Sequence, residues 1–186
     1  MTQGNRGDRL LPLSAILAEL CQDNGIVEVV LGLGDRLFLG IDHSAIAISN
    51  TEQSLKFYRD LLGMQFDGGS FNQGETQARL DCLSEEVEVK ITALRPDRGG
   101  LGIELLDYVL PLNSRPIPSN WKSCDIANMQ IELVVNDIEQ AVEMLRQNGV
   151  EFVSSRVVKF TESCCPYSQG CLLKDPDGHG VLAITK

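Results

Sequence analysis

The feature that most constrains this chain is an internal repeat. Ile41–Arg59 can be laid over Asn128–Arg146 at a spacing of 87 residues. Glu52/Glu139, Gln53/Gln140 and Arg59/Arg146 are identical across the two copies. The rest matches in physical character: Ile46 and Ile48 fall over Leu133 and Val135, and Leu55, Phe57 and Tyr58 fall over Val142, Met144 and Leu145. Each copy begins with an aliphatic, β-branched run that reads as a strand. A capping residue follows, Asn50 or Asp137, with a glutamine three positions on. That spacing lets the cap accept from a free N–H while the glutamine side chain reaches back. The helices are expected to end at Leu62-Gly63 and Asn148-Gly149, where glycine accepts a left-handed backbone.

Strand-like segments come next. In the first copy they are Met64–Phe71, Thr76–Leu83, Val87–Leu94 and Gly102–Tyr108. In the second they are Phe152–Val153, Val157–Phe160, Gly170–Leu173 and Gly180–Ile184. Turns fall at Gly68-Gly69, Pro96–Gly100 and Asp175–Gly178. The expected fold class is α+β: two tandem βαβββ modules whose curved mixed sheets surround a cleft. The division is an N-terminal extension over 1–37 with a short helix near Ser14–Cys21, a first module over 38–110, a proline-bearing linker over 111–126 and a second module over 127–186.

Charge and cysteine content narrow the partners. Sixteen Lys+Arg against 26 Asp+Glu give a net charge of −10. So acidic a surface repels phosphate backbones and anionic membranes, so neither nucleic acid nor a membrane is expected as a partner. The apolar stretch Leu10–Leu20 is too short to span a bilayer. It lacks a small-x-small cleavage site, so a cytoplasmic location is expected. Cys21, Cys82, Cys124, Cys164, Cys165 and Cys171 contain no C-x-x-C pair. At 186 residues the chain needs no disulfides to fold, and free thiols are expected.

Three stretches resemble one family. GIDHSAIAISNTEQSLKFYRDLLGM (40–64), GIELLDY (102–108) and LKDPDGHGVLAI (173–184) are similar to the vicinal oxygen chelate superfamily, which includes glyoxalase I, extradiol dioxygenases, bleomycin resistance proteins and methylmalonyl-CoA epimerase. The resemblance covers about residues 38–186. It implies a divalent metal (Fe, Mn, Ni, Co or Zn) held by one residue from the first strand and one from the last strand of each module. His43 and Glu104 match in the first module, and Gln130 stands over His43 in the second. The fourth position departs from the pattern, because Leu182 stands where the family places glutamate.

Strand alternation puts Glu132 on the same face as Gln130, as a replacement carboxylate or a proton carrier. It puts Tyr108 on the face of Glu104, as a substrate contact. Arg79, Arg115 and Trp121 read as surface or packing residues, and His179 as part of a turn. The resemblance implies lyase or isomerase chemistry of the glyoxalase or epimerase kind on a small oxygenated substrate, in a homodimer. Two alternatives are a metal-free binding protein of the bleomycin resistance type, favoured by Leu182 and Gln130, and an extradiol dioxygenase. The latter fits less well, with one histidine at a ligand position where two are implied.

Overall fold

The computed structural model describes residues 40–112, 114–161 and 166–186. The helix expected near Ser14–Cys21 lies outside them, as do Cys21, Cys164 and Cys165. Ile41–Lys186 forms one compact unit. It holds two four-stranded sheets built on one plan.

In the first module, β1 (His43–Ile48) is followed by α1 (Thr51–Leu55), which runs directly into a π-helical segment (Lys56–Leu61). Then come β2 (Gln65–Gln73), α2 (Gly74–Asp81), β3 (Glu88–Arg95) and β4 (Gly102–Leu110). The second module runs β5 (Gln130–Val134), α3 (Ile138–Gln147), β6 (Val158–Lys159), β7 (Gln169–Lys174) and β8 (Gly180–Thr185). Strand orders are β1-β4-β3-β2 and β5-β8-β7-β6. In each sheet the first strand pairs in parallel with the last. The registers coincide too: His43 lies opposite Gly102 as Gln130 lies opposite Gly180, and Ala45 opposite Glu104 as Glu132 lies opposite Leu182. The repeat in sequence is a repeat in space.

Both helices start as their caps dictate. The side chains of Asn50 and Asp137 accept from the backbone N–H of Gln53 and Gln140, each at 3.0 Å. Neither glutamine side chain reaches back, so half of each expected capping box forms.

Alternation along the strands separates two faces. Ile46 and Ile48 of β1, Ile103 and Leu105 of β4 and Leu94 of β3 point into a core shared with Phe57, Tyr58 and Met64. From the second module, Ile138, Val142, Leu145, Cys171, Leu173, Val181 and Ala183 join that core. His43, Ala45, Glu104, Leu106 and Ala93 lie on the opposite, open face of the first sheet. In the π-helical segment the adjacent Phe57 and Tyr58 are both buried, at 4% and 0% exposure, with their rings edge to face at 4.9 Å.

The segment Thr76–Leu83, expected as a strand, is instead α2. Its Ala, Gln, Arg and Leu favour helix, and Gln77 and Ala78 are buried. Gly74 (φ 74°) opens it and Cys82 (φ 54°) closes it in left-handed conformations. The helix lies over the open face beside Val89, and Asp81 accepts from the Tyr108 hydroxyl at 2.9 Å. One end of that face is thereby covered and the other left open. In the second module, Phe152–Val153 contributes only a single bridge, Phe152 to Leu173. Among the described residues Cys82, Cys124 and Cys171 are free thiols.

The modules are joined by a polar knot. Asp175, in the β7–β8 turn, accepts from the Tyr58 hydroxyl at 3.0 Å and from the backbone N–H groups of Asp177 (3.0 Å) and His179 (2.7 Å). His179 Nδ1 lies 2.8 Å from its carboxylate. Asp177 in turn accepts from the Ser49 N–H at 3.1 Å. A buried carboxylate without partners would be costly, and these bonds offset that cost.

Candidate functional site at the open end of the first sheet

Two neighbouring strands bring His43 and Glu104 together. His43 opens β1, and Glu104 lies one row further along β4 on the same face. His43 Nε2 stands 3.1 Å from Glu104 Oε2. The other ring nitrogen, Nδ1, is 2.7 Å from Asp42 Oδ2. The imidazole is thus held between two carboxylates. The Asp42 hydrogen bond is the main reason that the His43 pKa is raised; desolvation opposes it, and the charge of Glu104 adds to it. The same bond lowers the pKa of Asp42. Side-chain exposures of 33% for His43 and 28% for Glu104 leave both within reach of a ligand.

These side chains form one wall of a depression of about 150 Å³, which Asp42, Asp67, Ala93, Leu94, Arg95 and Ile103 complete. All of the lining belongs to the first module. Arg95 closes the side opposite His43, and its Nε donates to Asp67. Neither Asp42 nor Arg95 was anticipated from sequence. Asp42 could have been found by its place directly before His43. Arg95 needed the β3–β4 register, which no local pattern discloses.

The other expected site residues are not among those that line this depression. Gln130 and Glu132 are exposed on β5, on one face as expected. The Glu132 carboxylate accepts from the Tyr167 hydroxyl at 2.8 Å. Leu182 sits opposite Glu132 on β8, at the register that Glu104 holds in the first sheet. Tyr108 is four residues beyond Glu104, about 13 Å along the strand, with its hydroxyl engaged by Asp81. Burial, with the Asp81 bond adding to it, raises the Tyr108 pKa. His179 belongs to the junction between the modules. Among the described residues, no three His, Cys, Asp or Glu side chains cluster as a metal cage.

The donor chemistry of the pair can be tested against a divalent ion. An imidazole nitrogen and a carboxylate oxygen are donors that first-row divalent ions accept. Asp42 on Nδ1 is the outer partner that orients a metal-bound imidazole and favours the tautomer with a lone pair on Nε2. His43 and Glu104 therefore fit such an ion at two positions.

The model of the Glyoxalase/Bleomycin resistance protein/Dioxygenase superfamily matches residues 40–182. This chain belongs to that superfamily. Solved structures agree in fold. A glyoxalase family protein from Bacillus cereus superposes with a TM-score of 0.70 at 19% identity, covering 82% of this chain and 97% of the other. A glyoxalase family protein from Enterococcus faecalis gives 0.55 at 17% identity, over 80% and 99%. The trypanothione-dependent glyoxalase I of Leishmania major gives 0.51 at 18% identity, over 80% and 87%. No curated protein matches in sequence. At these identities the structural likeness carries the tandem fold alone. No helix among the described residues is long and apolar enough to cross a membrane.

Proposed function

We propose that this superfamily member binds a small oxygenated ligand with a divalent metal held by His43 and Glu104, and that Gln130 supplies a third donor. The reaction class is a lyase or isomerase reaction of the glyoxalase type. The observation that carries the reading is the approach of His43 Nε2 to Glu104 Oε2 at 3.1 Å, with Asp42 on the far side of the ring. When bound, such an ion polarises neighbouring ligand oxygens and stabilises an oxyanion. The chain's own part is to bind and orient. Asp42 fixes the imidazole, Glu104 supplies negative charge, and the depression positions the ligand. Glu132, oriented by Tyr167, is the proposed proton carrier. Tyr108 is the proposed substrate contact at the end covered by α2. A cytoplasmic homodimer completes the reading, and light scattering reads the assembly state.

The test is direct. Protein purified without added metal should carry it near stoichiometry, and EDTA should lower the melting temperature by mass action. H43A should then hold no metal. Absence of both metal and EDTA shift, or full occupancy in H43A, overturns the assignment.

A second reading has its own support. Leu182 at the register of Glu104, and Tyr167 on Glu132, deprive the second module of two donor groups. That favours a metal-free binding protein. Ligand affinity unchanged by EDTA would select it.

A further inference from the structure

The register across β1, β4 and β3 places three residues in one row on the open face. His43 pairs with Gly102. Leu94 pairs with Ile103, which carries Arg95 opposite Gly102. Side chains on alternate strands of one row are two strand spacings apart, about 10 Å. The row therefore reads imidazole, bare backbone, guanidinium, with Glu104 in the next row between Ala45 and Ala93.

The glycine keeps the floor clear. A Cβ at Gly102 would come within 3.1 Å of the Leu94 carbonyl oxygen and 3.4 Å of Arg95 Cγ. Arg95 thus lies across β4 towards His43, and Asp42 acts on its charge. Only Nε of Arg95 is engaged, by Asp67. The two terminal amino groups make no hydrogen bond among the described residues, and the side chain is 47% exposed. A guanidinium with its outer edge open is built to take a planar anion through paired bonds.

We propose that Arg95 is the anion-binding residue of this site, so that its ligand carries a carboxylate beyond the oxygens held at His43 and Glu104. The inference rests on the reading above and names its substrate class: a small oxo- or hydroxy-acid with a second, distal carboxylate. Asp67 is the internal carboxylate that such a ligand displaces or joins. Arg95 sets specificity and is not assigned a part in bond making.

Binding of two matched probes, 2-oxoglutarate and 2-oxopentanoate, decides it. They differ by the distal carboxylate. Calorimetric titration of Mn²⁺-loaded protein should show about a tenfold preference for 2-oxoglutarate. R95Q should erase that preference, with Mn²⁺ still bound. R95K, with one charge but no fork, should keep part of it. D67N, which frees the guanidinium, should enlarge it. Equal affinities in the unaltered protein, or a preference that survives R95Q, overturns the inference. Failure of Mn²⁺ to bind overturns the metal reading instead. The same probes are then titrated into metal-free protein, where a preference lost in R95Q upholds the anion site and equal binding ends it.

Discussion

The two modules share a register and differ in what they put on it. The first sheet reads His43–Gly102–Arg95 across one row, with Glu104 beside it. The equivalent row of the second sheet reads Gln130–Gly180–Lys174, with Leu182 beside it. A cation ends each row, yet the two are treated differently. Arg95 is half exposed with its outer edge unengaged. Lys174 is 12% exposed, bonded to Glu151 at 2.6 Å and set 5.5 Å from the Trp121 ring. Trp121 is anchored in turn, donating to the Gly178 carbonyl at 2.8 Å. The row glycines differ as well. A Cβ on Gly180 would meet Gln130 Cβ at 3.3 Å, so the first-strand side chain crowds that floor. On one backbone plan the cation at the end of the row is left accessible in the first copy and packed away in the second. Function in such a duplicated fold follows side chains and access, while the duplicated backbone guarantees neither.

Several substitutions would break or sharpen this contrast. The largest effect is expected where the second module supports the first. D175A leaves the Tyr58 hydroxyl and two backbone N–H groups without an acceptor in a buried junction. It should cost about 3–5 kcal/mol in urea unfolding. A loss below about 1 kcal/mol would mean that the modules hold together without the knot. Next comes L182E, which gives the second row the carboxylate that the first possesses. It should raise Mn²⁺ affinity about tenfold by calorimetry, and an unchanged affinity would separate that row from the metal site. W121A should uncover Lys174 and cost about 1 kcal/mol, read by the same unfolding curves, with Mn²⁺ affinity unmoved.

The smallest effect is one of pH. Burial disfavours the charged form of His179, but the hydrogen bond and charge of Asp175, with Asp177 further off, outweigh it and raise the pKa above 6.5. A raised folded-state value stabilises the protein fully below the unfolded value and loses that stabilisation as pH climbs through the folded one. Stability should therefore decline from about pH 6.5 upwards, and H179Q should flatten that part of the profile. A profile equally steep in H179Q would place the dependence elsewhere.

Much of the frame was legible in sequence because it depends on local periodicity. The alternating strands and the caps at Asn50 and Asp137 follow from patterns a few residues long, whereas the pairing of His43 with Glu104 was implied by the family resemblance and needs the β1–β4 register. What escaped depends on tertiary context. Thr76–Leu83 carries apolar residues that suit a strand, yet the open face beside Val89 rewards a helix that buries Gln77 and Ala78. Asp175 reads as a turn residue, and nothing near it discloses that Tyr58 lies 117 positions away in sequence and 3.0 Å away in space. Arg95 ends a strand, and its relation to His43 exists only through the pairing of β3 with β4.

The π-helical segment of the first module has a consequence for how the halves came to interlock. The helix-starting caps, Asn50 and Asp137, are 87 residues apart, whereas the glycines that close the two helices, Gly63 and Gly149 (both φ 75°), are 86 apart. The first copy thus holds one residue more between the same landmarks, and the widened turn, with Leu62 N–H reaching back to the Phe57 carbonyl, absorbs it. The 87-residue spacing still holds at Arg59 and Arg146, so the surplus residue falls after Phe57 and Tyr58, between Asp60 and Leu62. The wider turn thus lengthens the first helix beyond Tyr58 without disturbing the phenol, which stays in reach of Asp175 and ties one half of the duplicated molecule to the other.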